Sequence, residues 1–208
     1  MSRASGRYLS LALLLSVLAA CAIGNRLYIP GELARPGGAP KVPAGPPGVA
    51  VLDFAYDAVE PGVVGRDYDH VRPIDWKGNP GKSMADLVAG VLAEKGVAVV
   101  RAAAEGPSLE NVPVRVAGHV NRFEVNARRK GTLKIVTEAA VSLSLTVSGG
   151  ELSSPVSATV TSSNSMEDAF VTPEGARDVL FASANAAAEE AARRLLAAVA
   201  VAPPSHGK

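Results

Sequence analysis

The chain has 208 residues, 21 Lys and Arg against 20 Asp and Glu, and 48% apolar but only 4% aromatic residues. A formal charge of +1 gives no global basic field for nucleic acid. Scarce aromatics beside plentiful Ala, Val and Leu argue for close packing of small side chains rather than an aromatic ligand pocket.

In chain order, Arg3 and Arg7 give a positive start, and Leu9 to Val17 is an apolar run broken by Ser10 and Ser16. That run is too short to cross a bilayer as a helix and reads as the h-region of a signal peptide. It leads into Leu18, Ala19, Ala20 and Cys21, the chain's single cysteine, a stretch that resembles a bacterial lipobox. In proteins with that motif residues 1–20 are removed, the thiol is joined to diacylglycerol and the new amino group is acylated. A cysteine is required because its thiolate accepts the lipid. Ordinary cleavage with a stray thiol at Cys21 is the alternative. Several acyl chains, palmitate among them, give stable anchoring without a transmembrane helix. The expectation is a membrane-attached protein on the periplasmic side of a bacterial envelope, with no disulfide because Cys21 is consumed. By analogy with enterobacterial lipoproteins, Ala22 after the cysteine favours the cell outer membrane. Loss of Arg3 and Arg7 with the leader brings the formal charge to about −1.

Residues 21–48 hold Pro30, Pro36, Pro40, Pro43, Pro46 and Pro47 among glycines. Such a stretch buries little apolar surface and reads as a tether, with a reach of roughly 80 Å extended or 30 Å as a coil. One folded domain is expected over 49–201 and a disordered tail over 202–208. Val49 to Phe54 reads as a buried strand, and 57–80 as a long, turn-rich, polar loop of the kind that often carries function. Ser83 caps the next helix, with Asp86 in the capping-box position. Met84, Leu87, Val88, Val91 and Leu92 form its buried stripe, and Gly96 ends it. Val97 to Val100 is a second strand, which would complete a crossover if it lies parallel beside the first.

The period then changes. Val112, Val114, Val116 and Val120 alternate, and the phase slips to Phe123 and Val125, which predicts a bulge near Asn121 and Arg122. Arg128, Arg129 and Lys130 lead into a basic turn at Gly131. Leu133, Ile135, Ala139, Val141, Leu143, Leu145 and Val147 form the clearest strand. Residues 148–151 turn the chain back, and Leu152, Val156, Ala158 and Val160 continue with Ser157, Thr159 and Thr161 outside. The result is a meander with one apolar and one Ser/Thr-rich face. Thr172-Pro173 opens the last helix, which runs to about Ala200 on an Ala-rich face, with Glu189–Arg193 and Glu190–Arg194 as exposed pairs. One-sided helices and one-sided strands must cover each other. The fold expected is therefore an α+β two-layer sandwich, mainly antiparallel, with two helices in the order β-α-β-β-β-β-α.

The lipobox, the Pro/Gly stretch, Ser83 to Val97, the strands at 112–120 and 133–147 and the closing helix together resemble the YajG-type bacterial lipoproteins. Val49 to Phe54 is similar to the opening strand of lipoproteins with the TolB amino-terminal-like fold, and the β-α-β-β plan is similar to that of auxiliary lipoproteins of ABC-type lipid transport systems. The resemblance implies a non-catalytic envelope protein that binds or positions something else, and it transfers no functional residue.

Chemistry-bearing candidates are few. Asp67, Asp69, His70 and Asp75 offer oxygen ligands but lack the glycine and distal Glu of a calcium loop, so no metal site is assigned. His119 falls on a polar strand face, and His206 in the tail. There is no nucleophile elbow and no phosphate-cradling loop, so no catalytic residue and no cofactor beyond the acyl groups on Cys21 is assigned. Arg128, Arg129 and Lys130 are the candidate contacts for anionic headgroups or an acidic partner. Two functions follow. One is an adaptor, assembly or stabilising factor acting through protein or peptidoglycan contacts. The alternative is a lipid-binding auxiliary subunit of an ABC-type transport system for outer-membrane maintenance, which needs an apolar groove.

Overall fold

The structure is a computed structural model that describes residues 26–30, 33, 48–69, 71–103, 109, 111–150 and 152–200. The chain forms β1 Leu27–Pro30, β2 Val49–Leu52, β3 Ala55–Tyr56, β4 Val63–Asp67, β5 Arg72–Lys77 and α1 Pro80–Glu94. It continues with β6 Val99–Ala102, β7 Val114–Lys130, β8 Lys134–Gly149, β9 Val156–Asp168 and α2 Pro173–Ala200.

β7 is the spine. Along one edge β8 pairs with it antiparallel over its whole length, and β9 pairs with β8 in the same sense. The other edge is shared, all in parallel, by β2 at Val114–Val116, β3 at His119–Val120 and β4 at Ala127. β6 extends the β2 limb, and β5 then β1 extend the β4 limb. The described sheet is therefore open, with one long meander and two short limbs. The expected bulge appears as a register shift between Val120 and Arg122. β2 and β6 are parallel neighbours joined through α1, as the crossover reading requires.

The two helices cover one face and share one core with it. Ala184, Ala187, Ala188, Ala191 and Ala192 of α2 are fully buried against inward residues such as Val141 and Leu143. Small side chains let the helix lie close, and Ser183 donates from its buried hydroxyl to the Ala139 carbonyl at 3.2 Å. On the opposite face Ala50 and Leu52 pack with Leu109 and Val112 as a small second cluster, so β2 is buried on both sides. The arrangement is the expected two-layer α+β sandwich.

Four local expectations are corrected. Leu27–Pro30, inside the stretch read as a tether, is a strand paired with β5, and Leu27 and Ile29 are buried. The 57–80 loop contains β4 and β5, which form an antiparallel pair. α1 starts at Pro80 rather than after Ser83: Asn79 is its N-cap and accepts from the Lys82 N–H at 3.1 Å. Pro at the first turn forfeits only an N–H that has no helical partner anyway. Asp86 turns instead to Arg101 of β6 at 2.8 Å. Leu133 is not an inward strand residue but 83% exposed, because β8 begins one residue later. Gly96 ends α1 at φ +84°, and Thr172 caps α2 by accepting from the Gly175 N–H, both as expected. At the far end of α2, Glu190 takes both Arg193 and Arg194, whose hydrogen bonds hold its carboxyl down at about 2.

Candidate functional site

The face of the meander away from the helices is polar. Alternation sends Arg122, Glu124 and Asn126 of β7, Glu138 of β8 and Ser163 and Ser165 of β9 to that side, where they line a shallow basin of about 530 Å³. Arg122 pairs with Glu124 within it. Toward the other end of the strands the same face carries hydroxyl pairs directly opposite in register. Ser142 meets Thr161 at 3.1 Å, and Ser144 meets Thr159 and Thr146 meets Ser157 at 3.5 Å. Pairs of this kind are the unit that steadies a solvated sheet face. Asn121 donates to Ser144 at 2.7 Å.

His119 lies beside this ladder. Its Nε2 is 3.1 Å from Asp57 and its Nδ1 3.0 Å from the side-chain oxygen of Asn121. Two acceptors favour the doubly protonated ring, so its pKa is raised, chiefly by Asp57.

The basic turn residues do not stand as bare cations. Arg128 pairs with Glu138 at 2.8 Å and Arg129 with Asp69 at 2.8 Å, while Lys130 and Lys134 share Glu167. The lysine hydrogen bonds hold the Glu167 carboxyl below its ordinary value, and the carboxylate partners raise Arg128 and Arg129. All four cations remain well exposed, so these pairs add little stability, but they neutralise most of the charge that the sequence suggested. The Asp cluster is likewise divided. Asp67, fully buried, pairs with Arg72 at 2.7 Å, Asp69 goes to Arg129, and Asp75 goes to Arg26 at 2.9 Å. Among the described residues no group of three or more His, Cys, Asp or Glu is placed to hold a metal. His70, His206 and Leu18 to Cys21 lie outside the described residues. Among the described residues no helix is long and apolar enough to cross a membrane.

Comparison with known proteins bears on the fold. A Xanthomonas campestris protein of the DUF330 family model shares 13% identity and a TM-score of 0.54 over 83% of this chain and 93% of its own. The two share a fold. Weaker likenesses run to the PelC dodecamer of Paraburkholderia phytofirmans, with 18% identity, TM-score 0.42 and coverage of 74% and 90%. A minor lipoprotein of Acinetobacter baumannii follows at 12% identity, TM-score 0.37 and coverage of 71% and 90%. No family model and no curated protein matches the chain, so the YajG-type likeness rests on the sequence pattern.

Proposed function

We propose that the protein is a lipid-anchored envelope lipoprotein of the YajG-type plan, held by Cys21 and acting without catalysis as an adaptor or stabilising factor. Its partner, a protein or peptidoglycan, meets the open face of the meander. The supporting observation is the contrast between the two faces. Fully buried alanines of α2 fill the helix–sheet layer where a lipid carrier would need a groove. The opposite face offers a fixed polar relief, namely the basin around Glu124 and Glu138 and the paired hydroxyl ladder. Matched charges and oriented hydroxyls give specificity more than affinity, which suits a positioning role.

The test is site-specific photo-crosslinking of the full lipoprotein in its native envelope, with the crosslinking residue at Ser144 or Ser163 on the sheet face and at Ala182 on the exposed side of α2. A discrete adduct from the sheet positions and none from Ala182 is expected. Adducts from Ala182 alone would reverse the assignment of faces. Native mass spectrometry of the same protein gives the second arm: stoichiometric lipid beyond the acyl groups on Cys21 would replace the adaptor with the carrier reading.

A further inference from the structure

One end of the sheet collects apolar side chains that the core does not use. β7 reaches this end at Lys130, β8 leaves it at Lys134, β9 arrives with Asp168 opposite Ile135, and β4 arrives with Asp67 opposite Ala127. The turns beyond these pairs carry Tyr68, Val71, Leu133 and Phe170, which are 59%, 76%, 83% and 76% exposed. Val71 holds a φ of +53°, a costly conformation for a β-branched residue. Clustered large apolar side chains at one end of a molecule mark a contact surface.

The direction of β1 says what the contact is. β1 runs parallel to β5 with Leu27 opposite Ile74, and β5 leaves the same end at Arg72, opposite Asp67. Arg26 therefore lies on the side of Leu27 toward that end, and it pairs with Asp75. Cys21 precedes Arg26 by only five residues, which span at most about 18 Å. An acylated Cys21 cannot be far from these turns.

We propose that this end of the sheet rests on the bilayer that holds the anchor, with Leu133 and Phe170 inserted among the lipids and Tyr68 and Val71 at the interface. The inference rests on lipidation of Cys21 and adds an orientation to it. Arg128, Arg129, Lys130 and Lys134 flank the turn that carries Leu133, but Glu138, Asp69 and Glu167 already match them. Apolar insertion therefore outweighs attraction to anionic headgroups, and the contact withstands salt. A pole seated on the membrane also leaves the meander standing away from it, with its open face accessible along its length.

Acylated Cys21 leaves no free thiol, so a cysteine introduced into the full lipoprotein is its sole labelling site. Leu133→Cys, Phe170→Cys and, as the distant control, Val156→Cys would carry an environment-sensitive fluorophore in vesicles of phosphatidylethanolamine and phosphatidylglycerol. Val156 pairs with Val147, and Val147 with Val116, at the opposite end of the strands. The expected result is blue-shifted emission, quenched by doxyl-labelled lipid, at 133 and 170 but not at 156, and unchanged between about 0.1 M and 1 M salt. Unquenched labels at 133 and 170 on a chain whose mass shows the acyl groups would overturn the docking alone. A blue shift lost on diluting the protein into more lipid would overturn it in favour of a second copy covering these turns. An unmodified Cys21 would overturn the anchor and the docking together.

Discussion

Gly118 shows how a single residue sets the inner face of β7. The inward series Val114, Val116, Val120 skips it, and the reason is Phe54: a Cβ built at Gly118 would lie 2.6 Å from the Phe54 ring. Phe54 is buried just before β3, which pairs with His119 and Val120, so the missing side chain makes room for the ring. Gly118→Ala should destabilise the protein by about 1–3 kcal/mol through overpacking, and chemical denaturation will read it as a lower midpoint with an unchanged slope. His119, next to it, faces the other way and makes a pH prediction. Its folded pKa is raised above the unfolded value by Asp57 and Asn121. The stabilisation is therefore complete below the unfolded value, near 6.5, and fades as pH rises through the raised folded value. The ring is 41% exposed, so the effect on stability is small and is better read by NMR. His119 should titrate above the ordinary range, and Asp57→Asn should bring it back down; an unchanged midpoint in that variant would show that Asp57 is not the cause.

At the scale of elements, the start of α1 separates a sequence pattern from the fold. Ser83 with Asp86 has the capping-box spacing, yet Asn79 provides the cap and Ser83 lies in the first turn, its N–H donating to the Asn79 carbonyl at 2.9 Å. Asn79→Ala should cost about 1 kcal/mol and Ser83→Ala less than about 0.5 kcal/mol; equal losses in thermal unfolding would restore the sequence reading. Long elements were legible because their periods repeat: the valines of β7, the alternation of β8 and the apolar stripe of α1 each occur several times over. β4 and β5 were not, because Val63–Asp67 and Arg72–Lys77 are short and interleave charges with apolar residues. The neutralised tip was invisible for another reason. Asp69 lies 60 residues from Arg129, and only the parallel pairing of β4 with β7 brings them together. The proposed lipidation at Cys21 is the reverse case: it rests on a local motif alone, outside the described residues.

Across the whole molecule, the largest departure is where the folded domain begins. A proline- and glycine-rich composition over 21–48 argues for a tether, but Leu27-Tyr28-Ile29 is a β-forming triplet whose apolar members point the same way. In the sheet Leu27 is 6% exposed and Ile29 fully buried, sharing a core with Trp76 and Leu180. The edge-to-face contact of Trp76 with Phe123, at 5.2 Å, joins that limb of the sheet to the spine. Burying Leu and Ile contributes about 1.5–3 kcal/mol each, and ordering a four-residue strand costs about 1–2 kcal/mol per residue. The gain from those two side chains alone falls short of the cost. Ladder hydrogen bonds, and the cover that β1 gives to β5 and α2, tip the balance, as a large truncation in a core costs about 2–5 kcal/mol. A chain beginning at Gly48 should therefore be less stable than one beginning at Arg26 by about 2–4 kcal/mol, which lowers Tm by roughly 5–15 °C at this size. Equal melting temperatures would return residues 26–30 to the tether and lengthen the leash between Cys21 and the sheet. A lower value for the shorter chain would place the start of the folded domain at Arg26, and so leave the proposed anchor at Cys21 only five residues from the sheet.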